Sequence, residues 1–221
     1  MIVGICGLIG AGKDTVADYL VNIHQFRRES FANTLKDAVS NVFGWDRELL
    51  EGRTKQSREW REQVDSWWSE RLGMPNLTPR WVLQHWGTEV VRKGFHDDTW
   101  IASLENKIRK SKDDIVISDC RFTNEIVAIK RAGGIVVRVV RGPEPEWYKF
   151  AEAVNEGPTN LSWSLAKTHL ETYKIHASET AWIGTKFDAV IDNNADGMDN
   201  LYKQVKDLVQ DHLQPKANQL V

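Results

Sequence analysis

The stretch Gly7 to Thr15, GLIGAGKDT, constrains this chain more than any other. It follows a short β-branched, apolar run, Met1 to Cys6, and precedes Val16, Leu20 and Ile23 at helical spacing. Strand, glycine turn and helix in that order form one βα unit. The spacing Gly7-x-x-x-x-Gly12-Lys13 gives the turn a chemical use. Glycines let backbone N–H groups point inward around phosphate oxygens, the helix start adds partial positive charge, and the lysine reaches terminal phosphates. Asp14 stands where a serine or threonine ordinarily ligates Mg2+. An aspartate oxygen is also a hard ligand for that ion, directly or through water. A carboxylate equally suits a helix N-terminus, so both readings stand. Thr15 keeps a hydroxyl able to touch a phosphate oxygen.

The alternation continues along the chain. Phe26 to Phe31 reads as a second short strand, and Leu35, Ala38, Val39, Val42 and Phe43 as a helical stripe stopped by Gly44. Trp60, Val64, Trp67 and Trp68 share a helix face, and Thr78 with Pro79 marks a helix start. The run LTPRWVLQHWGTEVVR reads as one helix, and another carries Trp100, Ile101, Leu104 and Ile108. DIVIS, Asp114 to Ser118, is a buried strand, followed by a helix from about Thr123 to Arg131 and a strand from Ile135 to Val140. Phe187 to Asn194 is a further strand, and Leu201, Val205, Leu208 and Val209 mark a closing helix. This predicts an α/β fold with an open parallel sheet of about five strands and ligands at the carboxyl ends. Helical insertions are expected at about 45–100 and 142–186 within one domain spanning 1–221. A loose tail is expected after Pro215.

Composition narrows the function. A chain of 221 residues with 27 % charged residues and a formal net charge of −2 has no basic footprint for nucleic acid. No apolar run approaches a membrane span, and MIVGICGLIG reads as a strand, not a leader. Two cysteines make no disulfide framework, so a reducing, cytoplasmic setting is expected, the host cytoplasm for a viral protein. Of ten tryptophans, seven lie between Trp45 and Trp100, which concentrates bulky apolar filler in one segment. The histidines lack metal-ligand spacing, and His96 in HDD reads as a helix cap.

GAGKDT resembles the phosphate loop of the bacteriophage deoxynucleoside monophosphate kinases. SFANTLKDAV, LTPRWVLQHWGTEVVR, DDTW, SDCRFTNE and VIDNN are similar to successive blocks of that family, in order. In the family an aspartate follows the loop lysine, so Asp14 looks like a signature. The resemblance implies a P-loop kinase fold of three α/β/α layers with acceptor-binding and lid insertions. It implies ATP held at Gly10, Ala11, Gly12, Lys13, Asp14 and Thr15, with Mg2+ at Asp14 and Asp119, through water or directly. Lys13, Asp14 and Arg121 would serve catalysis. Arg80 would hold the monophosphate, Gln84 a base edge, and Gly87 and Trp100 would make room for and wall the nucleotide. Lys36 and Arg53 are further phosphate candidates, and Asp119 and Arg121 can reach the acceptor. The second insertion carries no arginine, so Arg121, Arg138, Arg141 or a lysine would replace a lid arginine. HASE, His176 to Glu179, matches a family block without an assignable role. Another small-molecule kinase of the dephospho-coenzyme A kinase type, and a non-catalytic nucleotide-binding regulator, remain alternatives. Base preference and a homodimer stay open.

Overall fold

A computed structural model describes residues 1–158 and 161–213. The expected loose tail after Pro215 lies outside the described residues. In chain order the elements are β1 (Ile2–Cys6), α1 (Lys13–His24), β2 (Arg27–Glu29), α2 (Asn33–Phe43), α3 (Arg47–Glu51), α4 (Lys55–Arg61) and α5 (Ser66–Leu72). Then follow α6 (Pro79–His85), a π-helical segment (Trp86–Lys93), α7 (Thr99–Ile108), β3 (Ile115–Ile117), α8 (Thr123–Arg131) and β4 (Ile135–Val140). The chain continues through α9 (Tyr148–Asn155), α10 (Leu161–Thr172), α11 (Ala177–Thr180), β5 (Ala189–Asp192) and α12 (Asp199–Leu213). It divides into two compact units, Met1–Ser30 with Lys107–Val221, and Phe31–Asn106.

The first unit holds a five-stranded sheet in the order β2-β3-β1-β4-β5. Its four ladders are parallel, with Gly4 paired to Ile117 on one side and Val136 on the other. All carboxyl ends therefore share one edge, and the turns after β1, β3, β4 and β5 emerge there. The period-two pattern of β1 sorts its residues between two faces. Val3 and Ile5 join Val116, Val137, Val139 and Ile191 beneath Val16, Ala17 and Leu20 of α1 and Leu201, Val205 and Val209 of α12. On the opposite face Gly4 lies against Ile129 of α8, where an added Cβ would come 2.6 Å from Ile129 Cδ1. Helices on both faces make three layers, as the alternation predicts.

The second unit is helical around a tryptophan-rich core of Leu35, Val39, Phe43, Trp45, Leu50, Leu77, Val82 and Trp100. It begins at Phe31, ahead of the insertion start expected near Trp45, because α2 contributes three side chains to this core. Indole nitrogens find acceptors inside the unit: Trp45 donates to Asp65 (2.8 Å), Trp68 to the Phe43 carbonyl (3.0 Å) and Trp100 to the Gly87 carbonyl (3.0 Å). Each satisfies a buried polar group that would otherwise cost stability. Thr78 caps α6 by accepting from Trp81 N, with Pro79 in the first turn. The single helix predicted after it differs: α6 ends at His85 and the segment continues as a π-helix. π-Helical turns are rare and are found often at functional sites.

In the first unit, Gly134 precedes β4 between Ile2 and Ile129, and an added Cβ would sit 2.9 Å from Ile2 Cβ and 3.0 Å from the Ile129 carbonyl. Backbone cannot yield as a side-chain tip can. Gly134→Ala should cost about 1–3 kcal/mol in urea unfolding, an overpacking penalty. A midpoint equal to that of the native chain would contradict this packing.

Candidate active site

The Gly7–Gly12 turn is shaped by its neighbours. Gly7 has φ +150, and a Cβ there would meet the Val139 carbonyl at 2.5 Å. Gly12 has φ +103, and a Cβ there would meet Asn193 Nδ2 at 2.5 Å. That amide donates to the Ala11 carbonyl at 2.9 Å, so the turn after β5 braces the turn after β1. Gly12 is also the N-cap of α1 and offers no side-chain cap. The first-turn N–H groups are thus left for a ligand, and an anion suits them.

Lys13 folds back over the loop, donating to the carbonyls of Gly7 (2.8 Å) and Leu8 (2.9 Å). Burial, then the Arg121 guanidinium, lowers its pKa below the ordinary lysine value. Neutral carbonyl dipoles are modest partners for an ammonium, so an incoming polyphosphate can take it from them. Asp14 extends from α1 and accepts from Arg28 Nη2 at 2.7 Å. Thr15 follows it in the first turn of α1, half-buried.

The turn after β3 supplies the facing groups. Asp119 is half-buried and accepts from Ser30 Oγ at 2.6 Å. Arg121 donates to Glu179 at 2.8 Å and lies 3.4 Å from Ser178 Oγ, both on α11. HASE, which carried no role in the sequence, thus provides the carboxylate that holds Arg121. His176 caps α11 by accepting from Ser178 N. The backbone of Arg121 is fixed separately: buried Glu125 accepts from Arg121 N (2.8 Å) and Phe122 N (3.1 Å). Arg138 pairs with Glu144 and lies over the rings of Tyr148 (4.8 Å) and Trp182 (5.7 Å). The Arg121 guanidinium lies close enough to Lys13 to act on its pKa.

Within the second unit, Arg80 and Gln84 lie one turn apart on α6 and are both exposed. Arg80 pairs with Glu62 at 2.7 Å, and its charge helps lower the pKa of Arg61, after burial. Lys36 donates to Glu51 at 2.8 Å, and Arg53 lies 3.8 Å from the same carboxylate. Burial raises the Glu51 pKa, but hydrogen bonds from Lys36 and Arg47 outweigh it and bring it below the ordinary value. Lys36 is thus paired with a half-buried carboxylate. Trp100 was expected to wall a nucleotide and Gly87 to give it room. Trp100 packs in the core of this unit and donates to the Gly87 carbonyl, and a Cβ at Gly87 would meet Leu35 at 2.9 Å.

No family model matches the chain. A protein of Acanthamoeba polyphaga mimivirus, assigned as a deoxynucleotide monophosphate kinase, is 31 % identical over 155 residues, covering 64 % of this chain and 74 % of that one. The chain belongs to the deoxynucleoside monophosphate kinase family. A deoxynucleoside-5'-monophosphate kinase of Escherichia phage T5 is 29 % identical over 174 residues, covering 57 % of this chain and 70 % of that one. Among solved structures, a dephospho-CoA kinase from Campylobacter jejuni aligns over 95 % of this chain and 96 % of its own, with TM-score 0.46 and 13 % identity. A shikimate kinase from Aquifex aeolicus aligns over 97 % and 100 %, with TM-score 0.41 and 12 % identity. Likeness at those scores carries no argument about substrate. Among the described residues no helix is long and apolar enough to cross a membrane.

The carboxylate that shapes the Arg121 turn gives a stability test. Glu125→Ala would remove a buried carboxylate that two part-buried amides share, at about 1–3 kcal/mol. Urea unfolding should show that loss, and an unchanged midpoint would show that the bonds do not support the turn.

Proposed function

We propose that this chain is a deoxynucleoside monophosphate kinase, transferring the terminal phosphate of ATP to a deoxynucleoside monophosphate to give the diphosphate and ADP. The observation that carries the reading is the uncapped, glycine-built loop with Lys13 and Asp14 in a member of this kinase family. An acceptor phosphate oxygen attacks the γ-phosphorus, and the bond to the β–γ bridging oxygen breaks, leaving ADP. Such transfer needs positioning and charge neutralisation more than covalent chemistry. The amides from Gly10 to Thr15 cradle the donor phosphates. Lys13 leaves the Gly7 and Leu8 carbonyls for the β- and γ-oxygens. Arg121, held in reserve by Glu179, meets charge that develops during transfer. Arg80 exchanges Glu62 for the acceptor phosphate, and Gln84 on the same helix face reads a base edge.

Oxygen donors suit a hard cation: the Asp14 carboxylate has the Ser118 hydroxyl 3.4 Å away, with Asp119 next in sequence. Asp14 and Asp119 would hold Mg2+, directly or through water, and the bound ion would supply charge neutralisation on the donor phosphates. Among the described residues no group of three or more His, Cys, Asp or Glu side chains could hold a metal. A Mg2+ at this loop would therefore draw most of its ligands from nucleotide and water. Cys6 and Cys120 are buried free thiols, which suits a reducing cytoplasm.

The test is a panel of deoxy- and ribonucleoside monophosphates, with dephospho-coenzyme A and shikimate as controls, assayed with ATP and Mg2+. Diphosphate formation from deoxynucleoside monophosphates is expected. Turnover confined to a control would favour another small-molecule kinase, and ATP binding without transfer a regulator. Lys13→Ala and Arg80→Ala should each cut kcat/KM by about 100-fold or more, the scale of losing one transition-state or phosphate contact. Retained activity removes that residue from the mechanism.

The lowered Lys13 pKa adds a pH signature. Proton loss weakens phosphate binding, so ATP affinity should decline on the alkaline side sooner than an ordinary lysine dictates. Lys13→Arg should abolish that decline in a calorimetric pH series. An alkaline limb unchanged in Lys13→Arg would assign it to another group.

A further inference from the structure

Arg28 lies on β2, separated from the phosphate-loop strand by β3. Its guanidinium donates through Nη2 to Asp14 Oδ1 (2.7 Å) and Ser118 Oγ (3.1 Å), and through Nη1 to Asp18 Oδ1 (2.8 Å). Its side chain is 16 % exposed, whereas Asp14 is 83 % and Asp18 60 % exposed. The arginine is the anchored member of this group, and the two acids of α1 reach to it. The Ser118 hydroxyl also approaches Asp14 Oδ1, at 3.4 Å. Both contacts to Asp14 therefore fall on one oxygen, and Oδ2 projects from an exposed side chain.

We propose that Arg28 is a positioning residue of the donor site: it cancels the Asp14 charge beside the phosphate loop, fixes Oδ1, and leaves Oδ2 for the metal–nucleotide. This rests on the reading of the loop as an ATP site. A carboxylate next to Lys13 would offset the lysine's attraction for polyphosphate. Over Lys13, Asp14, Asp18 and Arg28 the formal charges cancel, and without Arg28 one negative charge remains. The loop amides can then attract a triphosphate before any metal arrives. A salt bridge serving the fold alone would contribute little at such exposure and would not affect nucleotide charge.

The experiment measures ATP affinity by calorimetry on the full chain, once in EDTA and once with Mg2+. The variants are Arg28→Ala, Asp14→Asn and the double variant. In EDTA, Arg28→Ala should weaken ATP binding at least about tenfold, the scale of one uncompensated charge near the phosphates. Adding Asp14→Asn should restore it to within about threefold of the native chain, because the uncovered charge is gone. Unchanged EDTA affinity in Arg28→Ala would overturn the inference. So would a double variant as weak as Arg28→Ala, since the loss would then come from shape. If Arg28→Ala does not fold, Asp14→Asn alone decides. By the same charge count Asp14→Asn leaves one surplus positive charge, so ATP binding about tenfold tighter in EDTA supports the inference, and an affinity within about threefold of the native chain overturns it. A native chain that binds no ATP in either condition fails the kinase reading itself. Native binding with an indifferent Arg28→Ala fails only this inference.

Discussion

A loop of glycines has few side chains with which to hold a shape, so the turn after β1 depends on what presses against it. The Val139 carbonyl closes on Gly7, and the Asn193 amide closes on Gly12 while bonding to the Ala11 carbonyl. These approaches come from β4 and β5, the neighbours of β1 on one side of the sheet. Sheet order thereby sets the concavity of the loop. That order rests in turn on the burial of Val3, Ile5, Val137, Val139 and Ile191 beneath α1 and α12. Hydrophobic burial at about 25 cal/mol per Å² fixes the strands, and the strands fix the amides.

Around that loop the resting site satisfies its own charges. Lys13 rests on carbonyls, Arg28 on Asp14 and Asp18, and Arg121 on Glu179. Lys13 and Arg121 thus have partners that a phosphate can replace, whereas Arg28 holds Asp14. Paired cations remain folded and ordered without nucleotide, and a phosphate bearing several charges outbids a single carboxylate or a carbonyl. In the second unit Arg80 with Glu62 repeats the arrangement.

The βα framework was legible because period-two and helical spacing record burial directly: β1, α8, β4 and α12 fall where the apolar pattern puts them. The place of Lys13 and Asp14 at the turn after β1 was legible because strand, glycine turn and helix start are local in sequence. Arg28 and Glu179 were not, since Arg28 meets the first turns of α1 from β2 and Glu179 meets Arg121 from α11, and only topology brings such residues together. The packing of Trp100 was not legible because an indole that stacks on a base and one that fills a core look alike in sequence. Its bond to the Gly87 carbonyl settles the packing. The Lys36–Glu51 pair was unread for a related reason, as a half-buried partner such as Glu51 leaves no local signal. The π-helical turn after α6 was hidden because i→i+5 bonding over Trp86–Lys93 leaves no residue type that marks it.

The most direct measurement is a crystal structure of the chain with a non-hydrolysable ATP analogue and Mg2+. The donor triphosphate should lie against the amides of Gly10 to Thr15, with the Lys13 ammonium moved from the Gly7 and Leu8 carbonyls onto its terminal oxygens. A nucleotide bound elsewhere while Lys13 keeps both carbonyls would contradict the account.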